Sequence, residues 1–366
     1  MNRTIGLITA NYSSSGYEEL TEKRPPACLP FGGRYRLMDF ALSNMVNARI
    51  TKVGFITPYY YRSIMDHMRA GKVWGLDRKS GGLFVLPGSV AGFTQEEDRF
   101  MLRDFIGNAT YFERGDADYV LCTDCSYIYN ADYLPLIAQH EMQGKPVTFF
   151  YKKMAVGEQH RGWYLELDEK GNVTRLYRGE SGENLLLNCF IIDRSLLLKF
   201  IRDYKAVKYT DLFELLQENI AELKMGSMAF DGYVGYTDGA VDYLKSSMDL
   251  LQPPIRRELF SGDWVISTKI HDEPPTMYQT DSCVKNSVVS SGSVIEGHVE
   301  NSVLFREVNV ARDAEVRNCV IMENCVIHPG AKLNWVICDK EVEISEGVCI
   351  SGTPGHPCIL AKGKKI

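Results

Sequence analysis

From Thr280 to the end of the chain, apolar residues recur every six positions, a spacing that few folds accommodate. Val289 and Ile295 carry the repeat, followed by Leu304, Val310 and Val316, then Ile321, Ile327 and Leu333, then Val342 and Val348. Gly, Asn, Ser, Asp and Glu fill the gaps. Six residues are too many for one helical turn and too regular for unrelated hairpins. The period matches the hexapeptide type of parallel β-helix, with each apolar residue expected over its counterpart one coil below. The register slips more than once, which predicts short loops between coils. Cys319 and Cys325, also six apart, read as stacked wall positions rather than metal ligands. A solenoid has an open end and long flat sides, so its expected role is subunit contact. His298 and His328 are candidates for acyl-transfer chemistry, but their spacing implies no carboxylate partner. Both read as surface or turn histidines.

The first 250 residues have a different texture. Short β-rich runs (IGLIT, KVGFIT, YVLCT, VTFFY, LLLNCFII) alternate with helical stretches such as FALSNMVNA and ADYLPLIAQHEMQ. This alternation predicts an α/β layered domain with a mainly parallel sheet. Ligands in such sheets sit beyond the carboxyl ends of the strands. The loop after IGLIT and the segment around Asp124 are therefore the places to look for chemistry. Residues 252–278 hold two Pro-Pro pairs and no periodicity, and read as a linker. The expected organisation is an α/β domain over 1–251, a linker over 252–278 and a β-helix over 279–366.

Composition narrows the function. Hydrophobic residues make up 45% of the 366, which excludes a wholly disordered chain. The net charge of -6, without a basic stripe, argues against a nucleic-acid partner. No apolar stretch approaches the roughly 18 residues of a membrane span. The N-terminal MNRTIGLITANYSSSG has only about five apolar residues in a row, too few for a signal peptide. A cytoplasmic location is expected, with the ten cysteines reduced. The one CxxC, Cys122 to Cys125, lies in an apolar run and reads as buried structural thiols.

Specific motifs add a family resemblance. The stretch LTEKRPPACLPFGGRYRLMDFALSN (20–44) closely resembles the N-terminal signature of ADP-glucose pyrophosphorylases. The likeness continues through ADYVLCTDCSYIYNADY (117–133), GYTDGAVDYLKSSMDLL (235–251), KIHDEPPTMY (269–278) and EGHVENSVLFREVNV (296–310). It spans nearly the whole chain, and DEPPT and ENSVLF look most like the GlgD-type subunit of the family. The resemblance implies a Rossmann-like nucleotidyltransferase domain followed by a left-handed β-helix. The family reaction joins glucose 1-phosphate to the adenylyl part of ATP and releases pyrophosphate. Its catalysis is mostly positioning and charge neutralisation. A Gly-rich loop with an Arg cradles the triphosphate, and two aspartates hold a divalent metal.

Matched to those motifs without gaps, this chain departs at each chemical position. The Gly-Gly-x-Gly-[Ser/Thr]-Arg loop is replaced by Asn11, Tyr12, Ser13, Ser14, Ser15 and Gly16, with Gly16 in the place of the arginine. Glycine matters there because it lets backbone approach phosphate at positive φ. The first metal aspartate falls on Ser126 and the second on Tyr236. The sugar-phosphate lysine falls on Gly179, beside Arg178, and the nucleotide-binding Gly-Thr-Ala-Asp-Ala run falls on Phe100 to Asp104. Asp124 and Asp238 each lie two residues from a lost ligand, so a two-residue slip would bring a carboxylate back to the same face. Lys23, Arg24 and Arg36 match cationic positions that bind anionic effectors in relatives; solvated charge or interface ion pairs is the competing reading.

The expectation is a chain with no catalytic residues and no metal site, keeping Asn11 to Ser15 as a nucleotide-binding remnant and requiring no cofactor itself. It would activate a catalytic paralogue within a heterotetramer, with Mg2+ and ATP on that partner and an anionic effector bound at the cations. The alternative is a sugar-1-phosphate nucleotidyltransferase active in its own right through Asp124 and Asp238.

Overall fold

The computed structural model describes residues 3–89, 98–114, 116–203 and 210–366. They form two compact units, each taken by itself. The first gathers residues 1–13, 40–234 and 264–267; the second gathers 14–39, 235–263 and 268–366. The division differs from the one expected at 251, because segments near residues 20 and 250 pack with the solenoid. No helix among the described residues is long and apolar enough to cross a membrane.

The first unit is built on a nine-stranded sheet. Its strands are β1 (Thr4–Thr9), β2 (Lys52–Thr57), β3 (Gly82–Pro87), β4 (Tyr119–Asp124), β5 (Val147–Lys153), β6 (Gly162–Leu167), β7 (Val173–Gly179), β8 (Asn184–Asp193) and β9 (Gly226–Ala229). The order is β7-β6-β8-β4-β1-β2-β3, with β5 on β8 and β9 on β5. The block β4-β1-β2-β3 is parallel. Its runs are apolar without alternation because both faces are covered: every residue of β1 from Ile5 to Thr9 is buried. Beyond that block, β8 runs antiparallel to β4, β5 and β6. Residues 168–172 join β6 to β7, too few for the crossover a parallel pair needs. One face of the sheet meets an aromatic core in which Phe190 lies 5.1 Å from Phe100 and 5.3 Å from Phe213, ring to ring. In β8 the register with β5 shifts between Leu186 and Cys189, and Asn188 takes φ 48° at that bulge.

The second unit contains the left-handed β-helix, three parallel sheets of five short strands each. Ile295, Val310, Ile327 and Ile344 stack on one wall; Val299, Val316 and Leu333 on the next; Leu304, Ile321 and Cys338 on the third. Each apolar residue thus lies over its counterpart one coil away, but Cys319 and Cys325 are not stacked on each other as expected. Residues five or six apart occupy successive walls of one coil, and vertical neighbours lie a full coil apart. Cys319 and Cys325 accordingly precede strands of different sheets. The slips in register are the shorter walls, as from Val316 to Ile321. Corners between walls need left-handed backbone, which Asn tolerates better than most residues. Asn301, Asn318 and Trp335 recur at one corner with φ 47°, 53° and 55°, and Glu307, Asn324 and Glu341 at another with φ 57°, 61° and 62°.

The stretch expected to be a linker is partly ordered. Pro253–Phe260 is a helix, because Pro253 and Pro254 fall in its first turn, where proline has no helical N–H bond to lose. Met277–Tyr278 pairs with Val294–Ile295 and so belongs to the first coil.

Ile321 is fully buried in the solenoid. Ile321→Ala should lower β-helix stability by about 2–5 kcal/mol. The readout is faster hydrogen exchange of the solenoid amides, with the sheet amides of the first unit unchanged.

Candidate functional site

The carboxyl ends of β1 and β4 carry the first unit's share of the expected site. Asn11, Tyr12 and Ser13 follow β1; Asp124 ends β4, and Ser126 follows it. Asn11 is buried and occupied: its amide donates to Asp104 Oδ2 at 2.8 Å and to the Ser89 carbonyl at 3.2 Å. The Ser89 N–H donates to the other Asp104 oxygen at 2.6 Å. Burial raises the Asp104 pKa, and the bonds from Ser89 and Asn11 oppose it. Asp104 thus ties Asn11 into the protein.

Asp124 is in the same condition. Ser126, just past the end of β4, turns back on it, with its Oγ donating to Asp124 Oδ2 at 2.6 Å. The Ser126 N–H donates to Oδ1 at 3.1 Å, and the Asn188 amide donates to Oδ2 at 3.0 Å. Arg99 completes the shell, with Nε 3.3 Å from Oδ2. Both side chains of this ion pair are almost wholly buried. Burial raises the Asp124 pKa, while Arg99 and Ser126 pull it down. Tyr12 lies under the guanidinium, its ring centroid 4.9 Å from Arg99 Cζ. The ring that stands in the family's glycine loop here forms the wall of a closed cation–carboxylate cluster.

Arg99 is held from behind. Its N–H and that of Phe100 donate to Asp211 Oδ2 at 2.9 and 2.8 Å, and the Phe213 N–H donates to Oδ1 at 2.8 Å. Asp211 also caps the helix Leu212–Glu218. Burial pushes its carboxyl up to about 6 against those three donors. Arg178, beside the lost lysine position, is similarly engaged, 2.6 Å from Asp98 and 2.8 Å from Glu214. Sequence reasoning missed Arg99 and Asn188. The hint for Arg99 was its place next to the FMLRD run; Asn188 had none, because only a bulge turns it toward Asp124.

A divalent metal does not fit this cluster. The oxygens of Asp124 already face an arginine and three hydrogen-bond donors, and a dication would have to displace the guanidinium. Among the described residues, no group of three or more His, Cys, Asp or Glu side chains is placed to hold a metal ion.

The remaining positions belong to the second unit. Gly16 has φ 82°, while Asn11 to Ser15 contain no left-handed residue. Its carbonyl accepts from the Ala240 N–H at 2.9 Å, and a Cβ there would lie 3.4 Å from the Asp238 carbonyl. An arginine at 16 would therefore be strained by its backbone conformation. Asp238 is half-buried, with its main-chain N–H bonded to the Asp242 carboxylate. The Tyr236 carbonyl accepts from Ser246 Oγ at 2.7 Å. Of the effector candidates, Lys23 is exposed and Arg36 half-buried. Arg24 is in a buried ion pair, 2.6 Å from Asp339. Lys340, which the sequence did not suggest, feels both Arg36 and Arg24; its pKa is lowered first by burial. Glu323 pairs with Lys340 at 3.1 Å and with Arg306 at 3.4 Å.

His328 does have a carboxylate neighbour, Glu343 at 3.1 Å, because the next coil lies beneath it. Both are half exposed and Glu343 is shared with Lys365, so this is a surface hydrogen-bond contact on the wall. Cys122 and Cys125 are fully buried thiols.

Comparison with known proteins agrees with both architectures. Residues 17–178 match the family model described as nucleotidyl transferase, and 274–355 the one described as GlmU-like, C-terminal hexapeptide. The chain is 33% identical over 363 residues to the glycogen biosynthesis protein GlgD of Bacillus subtilis (strain 168), covering 99% of this chain and 96% of that protein. It is 36% identical over 315 residues to GlgD of Geobacillus stearothermophilus, covering 86% and 83%. A glucose-1-phosphate adenylyltransferase of Halalkalibacterium halodurans is 29% identical over 374 residues, covering 94% and 98%.

Arg99→Met should leave a buried carboxylate without its cation and cost about 3–5 kcal/mol. The variant's Asp124 will have a folded pKa well above its unfolded one. Its contribution to stability is then full below the unfolded pKa and lost as pH rises through the folded one. Denaturant unfolding should show a larger loss at pH 7 than at pH 5, and Arg99→Met/Asp124→Asn should recover much of it.

Proposed function

Because the chain belongs to the family of GlgD proteins and glucose-1-phosphate adenylyltransferases, we propose that it serves glycogen biosynthesis as a non-catalytic subunit. It assembles with a catalytic paralogue that joins ATP and glucose 1-phosphate, in a heterotetramer, and raises that paralogue's activity. One observation carries the reading: Asp124, the carboxylate nearest the lost metal position in the first unit, is buried and neutralised by Arg99. With that charge already matched inside the protein, the chain has no reason to recruit Mg2+. Mg2+ and ATP would be used on the partner. Activation then follows from binding energy, as docking of this chain favours the partner's competent conformation. The anionic effector expected at the cations is left with Lys23 and Arg36, since Arg24 is paired with Asp339.

The similarity to a glucose-1-phosphate adenylyltransferase over 94% of the chain favours a second reading, an enzyme active in its own right. That reading requires Arg99 to release Asp124.

Pyrophosphate release from ATP and glucose 1-phosphate with Mg2+ separates the two. The lone chain should stay far below about 1 per second, the lower end of ordinary turnover. Mixed with the catalytic subunit, it should raise kcat or lower KM severalfold. Turnover of the lone chain in the ordinary range, or no effect on the partner, contradicts the proposal.

A further inference from the structure

A cavity of about 1020 Å³ opens in the first unit at the amino-terminal edge of the parallel block, at the opposite end of β1 from Asn11. Thr4, Lys52 and Gly81, at or beside the starts of β1, β2 and β3, form part of its wall. Its volume matches the upper range of small-molecule sites, about 300–1,000 Å³. Five cations face it, Arg3, Arg49, Lys52, Lys79 and Arg114, against one carboxylate, Asp116. Asp116 is taken up by Arg3. None of the other four cations has a carboxylate partner among the described residues. In a chain whose net charge is -6, this concentration runs against the average.

Lys52 is the most informative of the five. Its ammonium donates to the carbonyls of Tyr111 at 3.1 Å and Arg114 at 2.5 Å. It also lies 4.6 Å from the centroid of the Tyr111 ring and 5.6 Å from that of Phe84. Burial lowers its pKa, and Arg194 acts in the same direction. An anion in the cavity would relieve both effects. The floor is apolar, with Ile5, Ile50 and Ile137 buried, and the Phe84 ring is 40% exposed on it. Cations at the rim and an open aromatic face below suit a ligand that is charged at one end and flat at the other.

We propose that this cavity binds an organic phosphate of nucleotide size, its phosphates against Arg49, Lys52 and Lys79 and its planar part against Phe84. The site does not depend on the proposed regulatory role, and no residue of the Asp124 cluster lines it. Calorimetric titration of the full chain with ADP tests it, with adenosine and inorganic pyrophosphate as separate probes. ADP should bind with a Kd below about 1 mM, pyrophosphate more weakly, and adenosine not measurably. Arg49→Asn/Lys79→Glu, two exposed positions, should weaken ADP about tenfold or more while leaving the melting temperature of the free protein unchanged. Asn suits position 49 because Arg49 has φ 61°. Absence of ADP binding at millimolar concentration would overturn the proposal. So would unchanged affinity in the double variant, or adenosine binding as tightly as ADP.

Discussion

The buried contact between Arg99 and Asp124 decides what the first unit can do. An isolated carboxylate is costly to hold away from water, so it must be protonated, paired or bound to a metal. Here the partner is an arginine from the same chain, and three further elements lock the arrangement. Tyr12 closes over the guanidinium from the end of β1. Asn188 reaches the carboxylate from a bulge in β8. Asp211 fixes the main chain of Arg99 and Phe100. The carboxylate's charge is thus met by groups of the same unit.

The second unit settles its charges in the same way. Arg24 is spent on Asp339, while Glu323 is held by Lys340 and Arg306. Burial alone would raise the Glu323 pKa, yet it is lowered, because Lys340, a main-chain hydrogen bond and Arg306 together outweigh desolvation. Gly16 makes the matching point about backbone. It sits where the family carries an arginine, but its left-handed φ and its approach to Asp238 suit a tight structural turn. Buried charges find partners inside their own unit in both cases.

How much of this could be read from residues alone depended on whether a pattern was local. The solenoid was legible because its apolar period is local, although six-residue spacing marks successive walls and the stacking period runs around the whole coil. The parallel strands were legible from IGLIT, KVGFIT and YVLCT, whose two-sided burial leaves no alternation. Pro253 and Pro254 misled, since paired prolines suggest a linker and yet suit the first turn of a helix. At the site, Asp124 was legible as a strand-end residue, while its contact with Ser126 comes from a local turn beyond the strand. Arg99 did not follow, because its contact joins distant segments and no spacing encodes it. Asn188 was equally hidden, as its direction is set by a register shift between strands.

The central claim is that Arg99 already supplies the charge a metal would bring to Asp124. Titration of the isolated chain with Mn2+ and ATP, followed by electron paramagnetic resonance, tests it most directly. The expected spectrum contains only free Mn2+ and the Mn2+–ATP complex in solution, with no ion held by the protein. A stoichiometric, protein-bound Mn2+ that disappears in Asp124→Asn would contradict it.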